Sequence, residues 1–473
     1  MRTRQGRVLS ARHLHGEVFW GLPYATTPRG RSRFDVPVPA RDWAGVRDAT
    51  VPGATPPVPL RLRIGDLDVT ALLGGPGRAG EDYLTVNVWT PAGRPSGCPV
   101  LVFVPGGGFV SGSGAAAVLR GDAFARDGVV VVTVSYRLGL TGWAALPGAP
   151  ANRGLLDVLA ALRWVQDNVA EFGGNPDNVT LAGQSAGAMI VAAVLGTPDG
   201  AGLCRRAVSQ SGNAGTAFVP EQTELVSRAL GAALGVPATV DNLAKLDDAA
   251  LVELMTAAQG IDLSASGTPT MRNSPWGLVL DEQTLPVQPI DLVEAGTAHP
   301  VDLLVGSNAD EADLYLVPTG RKQAATAQDV AQLASRMRWP VQELEARYRR
   351  SGSTSDGDVL ARAMTDGMFG DGTRRLADAH RADPRGTTHA YHFGWRPGAF
   401  DGRLGACHCA ELPLVFLTTD VPSLTGPSAL LGSVGPPTGL ADAVHDAWVG
   451  FIRNGEPGWP AHAPRAPHVQ RLG

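Results

Sequence analysis

The chain has 473 residues, of which 44% are hydrophobic, 18% charged and 6% aromatic. At roughly 150 residues per domain this length allows about three domains, and such a chain can bury a core without disulfides or metal. Forty basic residues against 45 acidic give a formal charge of −5, which excludes a protein that wraps a polyanion, since phosphate binding needs clustered positive charge.

The opening residues MRTRQG carry positive charge with no apolar stretch behind them, unlike a secretory leader. Residues 7–10 and 17–20 are short extended pieces punctuated by glycine and proline, as in β-hairpins. Residues 51–80 are Pro/Gly-rich and weakly periodic, which predicts a long surface loop. The character then changes. Residues 84–90, 100–104 and 129–136 are β-branched runs bounded by glycine or proline, as buried strands are. None is long enough to span a bilayer.

Residues 154–172 place Leu155, Leu156, Leu159, Leu162, Val165 and Val169 on one helical stripe. A strand at 179–182 runs straight into the pentapeptide GQSAG and then an apolar helix at 188–195. Further strands are expected at 207–210 and 303–306, and an amphipathic helix at 439–452 that ends at Asn454-Gly455. Strands alternating with helices predict an α/β fold, a large mostly parallel sheet with helices on both faces. No repeat and no Pro/Ser-rich linker divides the chain. One domain over 1–473 is therefore expected, with the mixed-charge helical segments 220–260 and 325–385 as insertions over the site.

Four cysteines, Cys98, Cys204, Cys407 and Cys409, are too few for a disulfide framework in so long a chain. Cys407 and Cys409 flank His408, but no further ligand follows at a metal-binding spacing. No metal and no cofactor are expected.

Gly183-Gln184-Ser185-Ala186-Gly187 fits G-x-S-x-G with a strand before it and a helix after it. In that context the serine sits on a tight turn with Oγ held above the sheet edge. The helix start beneath it offers backbone N–H groups to a developing oxyanion. Gly106-Gly107-Gly108-Phe109 follows a strand directly. Three consecutive glycines expose amides unscreened by side chains, as an oxyanion hole requires. Neither a dinucleotide fingerprint nor a phosphate loop fits, because no glycine follows three residues after Gly108 and no G-K-[ST] follows.

A serine nucleophile needs a base, and the base needs an orienting carboxylate. Composition and spacing do not choose among ten histidines. His408, before Glu411-Leu412-Pro413, is the best placed, whereas His392 lies inside a strand-like run at 389–395. Asp310 and Glu311, just past the strand at 303–306, are both candidates for the acid.

Many segments resemble the type-B carboxylesterase/lipase family, which includes cholinesterases, bacterial para-nitrobenzyl esterases and fungal lipases. They are GLPY at 21–24, Arg33-Phe34, EDYLTVNVWTP at 81–91, GGGF at 106–109, VSYRLG at 134–139 and NRGLLD at 152–157. They continue with FGGNP at 172–176, GQSAG at 183–187, SQSG at 209–212, GSNADE at 306–311, GACH at 405–408, and Trp448 through Trp459-Pro460. The likeness runs through nearly the whole chain in the family order.

The resemblance implies an α/β-hydrolase fold and a serine carboxylesterase acting through an acyl-enzyme. It assigns Ser185, Glu311 and His408 as the triad and the amides of Gly107, Gly108 and Ala186 as the oxyanion hole. It also implies structural ion pairs, Arg33 with Glu81 and Arg137 with Asp157. The expected partner is a small-molecule ester, with no nucleic acid and no membrane span, in a cytoplasmic monomer or small homo-oligomer.

The departures bear on specificity. Tyr83 stands where the family often has a cysteine, which removes the usual N-terminal disulfide. Pro105 replaces the usual His or Tyr before the glycines, Gln184 replaces the glutamate before the nucleophile, and Ala312 replaces the glycine after the acid. Losing the carboxylate at 184 weakens attraction for cationic substrates. Pro105 and Gln184 also keep open an acyl-transfer or lactone-forming role for the same triad. A non-catalytic binding protein, like neuroligin-type relatives, is disfavoured because all three triad positions are filled.

Overall fold

The computed structural model describes residues 1–75, 77–78, 80, 82–271 and 274–473. Its centre is an 11-stranded sheet. From one edge, the order is Val469–Leu472, Thr388–Phe393, Asp302–Asn308, Arg206–Gln210, Gly174–Gln184, Cys98–Val104 and Val130–Val134. These strands are mutually parallel. Thr85–Pro91, Gly16–Pro23 and Arg7–His13 then pair antiparallel, and Val46–Ala49 closes the far edge parallel to Arg7–His13. The expected strands are all present, and the chain has the α/β-hydrolase fold.

The valine runs form strands because both faces of this sheet are covered. On one face Val100, Val102, Val130 and Val132 pack with Leu155, Leu159, Leu162 and Val165 of the helix Arg153–Asn168. On the other, the alternate residues Leu101, Phe103 and Val131 share a cluster with Val444, Trp448, Phe451 and Ile452 of the helix Leu440–Asn454. Period-two alternation thus serves two apolar layers, and each fully buried Leu or Val contributes about 1.5–3 kcal/mol.

One expectation needs correction. Residues 51–80 are not all loop: Arg63–Ile64 pairs with Leu67–Asp68, and Thr70–Leu73 is a helical turn. Leu67, Val69 and Leu72 are buried there, and three apolar anchors hold a segment whose glycines and prolines suggested none. The pair expected of Arg33 is a separate matter. Its expected partner Glu81 lies outside the described residues, and Arg33 itself pairs with Asp248 at 2.9 Å and donates to the Leu246 carbonyl at 2.7 Å.

Arg137 and Asp157 form a fully buried bidentate pair, with N–O distances of 2.7 and 2.8 Å. Arg137 also donates to the carbonyls of Arg33 and Asp35, so the pair ties the N-terminal segment to the central helix. Breaking such a pair leaves an uncompensated buried charge, which costs about 3–5 kcal/mol. No described helix is long and apolar enough to cross a membrane.

Candidate active site

Ser185 occupies the turn between the strand Gly174–Gln184 and the helix Ala186–Gly196. Its backbone is held at φ 56°, ψ −122°, a region that costs a residue with a Cβ about 1–3 kcal/mol. Neighbouring bonds impose the strain. The Ser185 amide donates to the Gln210 carbonyl at 2.8 Å, and its own carbonyl accepts from Met189 at 3.1 Å. The flanking glycine is a packing requirement, since a Cβ on Gly187 would collide with the Val104 carbonyl oxygen.

The glycine loop leaves the carboxyl end of the neighbouring strand Cys98–Val104. Gly107 and Gly108 have φ values of 118° and 67°, which turn the loop back so that Gly107 caps Ser111 through its carbonyl. The Tyr136 hydroxyl donates to the Pro105 carbonyl at 2.9 Å and pins the start of the loop. Among the described residues, the amides of Gly107, Gly108 and Ala186 donate to no other protein group. These are the amides for which the resemblance implies an oxyanion hole.

Glu311 lies just past the strand Asp302–Asn308, and His408 in the loop after Thr388–Phe393. Both are buried. The imidazole Nδ1 lies 2.6 Å from Glu311 Oε2, and the other carboxylate oxygen accepts the Asn308 amide at 2.7 Å. An ionised carboxylate only accepts, so Nδ1 is the protonated nitrogen and the Nε2 lone pair is free for a proton. Asp310, the other candidate acid, instead pairs with Arg396 at 2.7 Å and accepts the Ala406 amide.

The Gln184 side-chain amide lies 3.2 Å from Nε2 and 3.5 Å from Nδ1 of His408. A donor on the axis of the Nε2 lone pair would be much farther from Nδ1, so the amide packs beside the ring and leaves that lone pair clear. Ser185 and His408 line the same cavity of about 820 Å³, together with the glycine loop. No hydrogen bond joins Ser185 Oγ to the ring; such contacts commonly tighten only when substrate is bound.

Sequence reasoning passed over Glu411, which is fully buried behind the site. It accepts from Asn308 Nδ2 at 2.7 Å and from Gln210 Nε2 at 3.1 Å. Burial, then the nearby charge of Glu311, raise its pKa. Asn308 therefore bridges two glutamates, Glu311 through its amide N–H and Glu411 through its side chain. The only signal in the sequence was a charged residue three positions after His408 in an otherwise apolar stretch. Cys407 and Cys409 beside it are free thiols, with pKa values raised by burial. Among the described residues no group of three His, Cys, Asp or Glu could hold a metal ion.

Residues of the segments 220–260 and 325–385 line the cavity. Gln222 and Thr256 contribute from 220–260, and Met337, Met364 and Phe369 from 325–385.

A model of the carboxylesterase family matches residues 2–470. Fumonisin B1 esterase of Sphingopyxis macrogoltabida is 35% identical over 95% of this chain and 81% of its own. Para-nitrobenzyl esterase of Bacillus subtilis is 32% identical over 97% of this chain and 92% of its own. A solved structure of a PNB esterase superposes with a TM-score of 0.84 at 28% identity, covering 100% of this chain and 95% of that one.

Proposed function

Because the chain belongs to the carboxylesterase family and is a carboxylic-ester hydrolase, we propose that it works through an acyl-enzyme on Ser185, with His408 as base and Glu311 as its orienting acid. The observation that carries this reading is the buried 2.6 Å contact between His408 Nδ1 and Glu311 Oε2, in the same cavity as a strained serine at a strand-to-helix turn. Residues 1–473 act in this reading as one catalytic domain, with 220–260 and 325–385 over its site.

Ser185 Oγ attacks the ester carbonyl carbon while its proton passes to His408 Nε2. The carbonyl oxygen becomes an oxyanion and is received by the amides of Gly107, Gly108 and Ala186, whose dipoles need no reorganisation. Collapse of the intermediate expels the alcohol, which takes the proton from His408, and the acyl group remains on Ser185. Water then attacks with the same base, and the net reaction converts ester and water into acid and alcohol. Glu311 keeps Nε2 as the accepting nitrogen and stabilises the imidazolium that forms at each step. The Arg137–Asp157 pair is structural in this reading.

The test is covalent labelling. An organophosphate is expected to add a single phosphoryl group at Ser185, found by peptide mass spectrometry, and to abolish turnover of nitrophenyl esters. Unlabelled Ser185 in folded, ester-cleaving protein would sink the assignment.

A further inference from the structure

The charge lining the cavity is one-sided. Its described residues include Arg61 and Arg321 but no aspartate or glutamate, and the residue before the nucleophile is the neutral Gln184.

The two arginines sit on one lip. The segment carrying Arg61 is tied to the segment carrying Arg321 by a hydrogen bond from the Asp66 amide to the Pro318 carbonyl, 3.0 Å long. The backbones touch so closely there that a Cβ on Gly65 would strike the Pro318 carbonyl. Tyr315 connects this lip to the catalytic end. It lines the cavity, its ring centroid lies 6.0 Å from that of His408, and its hydroxyl feels the charge of Arg61.

Three of the nearby acids are already engaged. Asp313 is paired with Lys322 at 2.8 Å and Asp310 with Arg396 at 2.7 Å. Asp329, which feels the charge of Arg321, accepts both the amide and the hydroxyl of Thr326. Among the described residues neither Arg61 nor Arg321 forms a salt bridge, and both line a cavity whose wall also includes the apolar Leu72, Leu314 and Leu412. Low-dielectric walls focus such a field onto an entering ligand.

We propose that the cavity selects esters bearing a second, anionic group, a carboxylate, on the part of the substrate that extends past His408 and Tyr315, where Arg61 and Arg321 receive it. This rests on the esterase reading above and adds the substrate class to it. Because both guanidinium groups are exposed, they act mainly by steering and by weak ion pairing, so the effect appears in kcat/KM and is screened by salt.

The test uses two matched pairs of esters. The mono-p-nitrophenyl ester of glutaric acid against p-nitrophenyl pentanoate places the carboxylate on the acid side. 4-Acetoxybenzoate against phenyl acetate places it on the alcohol side. The readout is the ratio of kcat/KM, anionic over neutral, in the wild type and in Arg61→Gln, Arg321→Gln and the double variant. In at least one pair the ratio is expected to fall about threefold in each single variant and about tenfold in the double. Raising NaCl to about 0.5 M is expected to lower the wild-type ratio similarly. Ratios in both pairs that stay within about twofold in the double variant and in salt overturn the proposal. Failure of the esterase reading looks different: the wild type then cleaves none of the four esters. The salt series on the wild type reads the same field should a variant fail to fold.

Discussion

Phe369 stacks on the imidazole of His408, with ring centroids 4.3 Å apart and planes 24° from parallel. Phe369 lies in a π-helical turn, Asp366–Gly370, between the helices Asp356–Thr365 and Asp371–His380. Such a turn inserts one residue into a helix and re-aims the side chains that follow. Here it sends an aromatic ring over the proposed base, from an element that is not part of the sheet. Replacing it by alanine frees the imidazole to rotate away from the serine. Phe369→Ala is expected to lower kcat for a short nitrophenyl ester about tenfold with little change in KM, and Phe369→Leu to recover most of that loss.

The serine turn makes activity and stability separable. Both Ser185→Ala and Ser185→Gly remove the proposed nucleophile and are expected to lower kcat about 10⁴-fold or more. Only glycine also relieves the backbone at φ 56°. Ser185→Gly is therefore expected to melt at a higher temperature than Ser185→Ala, in line with about 1–3 kcal/mol of stored strain. Equal melting temperatures in calorimetry would show that the turn carries no such cost.

Glu311→Gln tests the tautomer rather than the charge alone. A glutamine amide can donate to Nδ1, which puts the ring proton on Nε2 and leaves nothing to accept from Ser185. The expected loss in kcat is about 10⁴-fold with the fold retained. A loss under about tenfold would assign the orienting role elsewhere.

Asp313 gives a pH signature in stability. Burial raises its carboxyl pKa from 3.8 to about 6, against the opposing charge of Lys322. Between those values the folded chain keeps a proton that the unfolded chain has lost, so stability falls as pH rises through this window. In denaturant titrations, wild type minus Asp313→Asn is expected to decline by at most about 3 kcal/mol between pH 4 and 6 and to level off above. A difference that is flat with pH would contradict it.

The buried pair Arg137–Asp157 is expected to behave as a unit. Arg137→Met strands a carboxylate with 0% exposure, at a cost of about 3–5 kcal/mol. The double variant Arg137→Met, Asp157→Leu is expected to be more stable than that single variant, because no charge then remains buried. Urea midpoints compare the two directly.

Much of this was legible in residues 84–210, where Thr85–Pro91 and Val130–Val134 are fully buried strands and the two glycine motifs each follow a strand immediately. Alternation and glycine are local signals, and both survive in one sequence. The 51–80 segment misled because Leu67, Val69 and Leu72 are too sparse among glycines and prolines to show a period, yet tertiary contacts bury them. Glu411, Phe369 and the lip formed by Arg61 and Arg321 depend on which distant segments meet, and no spacing along the chain encodes that. Glu311 could be told from Asp310 only by resemblance, since both follow the same strand and their different partners arise from packing.

The order of the sheet has a consequence for how this protein can change. Ser185 and Glu311 are 126 residues apart in the chain, but their strands are separated across the sheet only by Arg206–Gln210. Their interval is set by the fixed distance between hydrogen-bonded strands, about 4.8 Å per step, and not by what is threaded between them. The sheet is in that sense a ruler, and the intervening chain is slack. The helices at 220–260 can be lengthened, replaced or recharged to admit a different ester while the spacing between Ser185 and Glu311 stays the same.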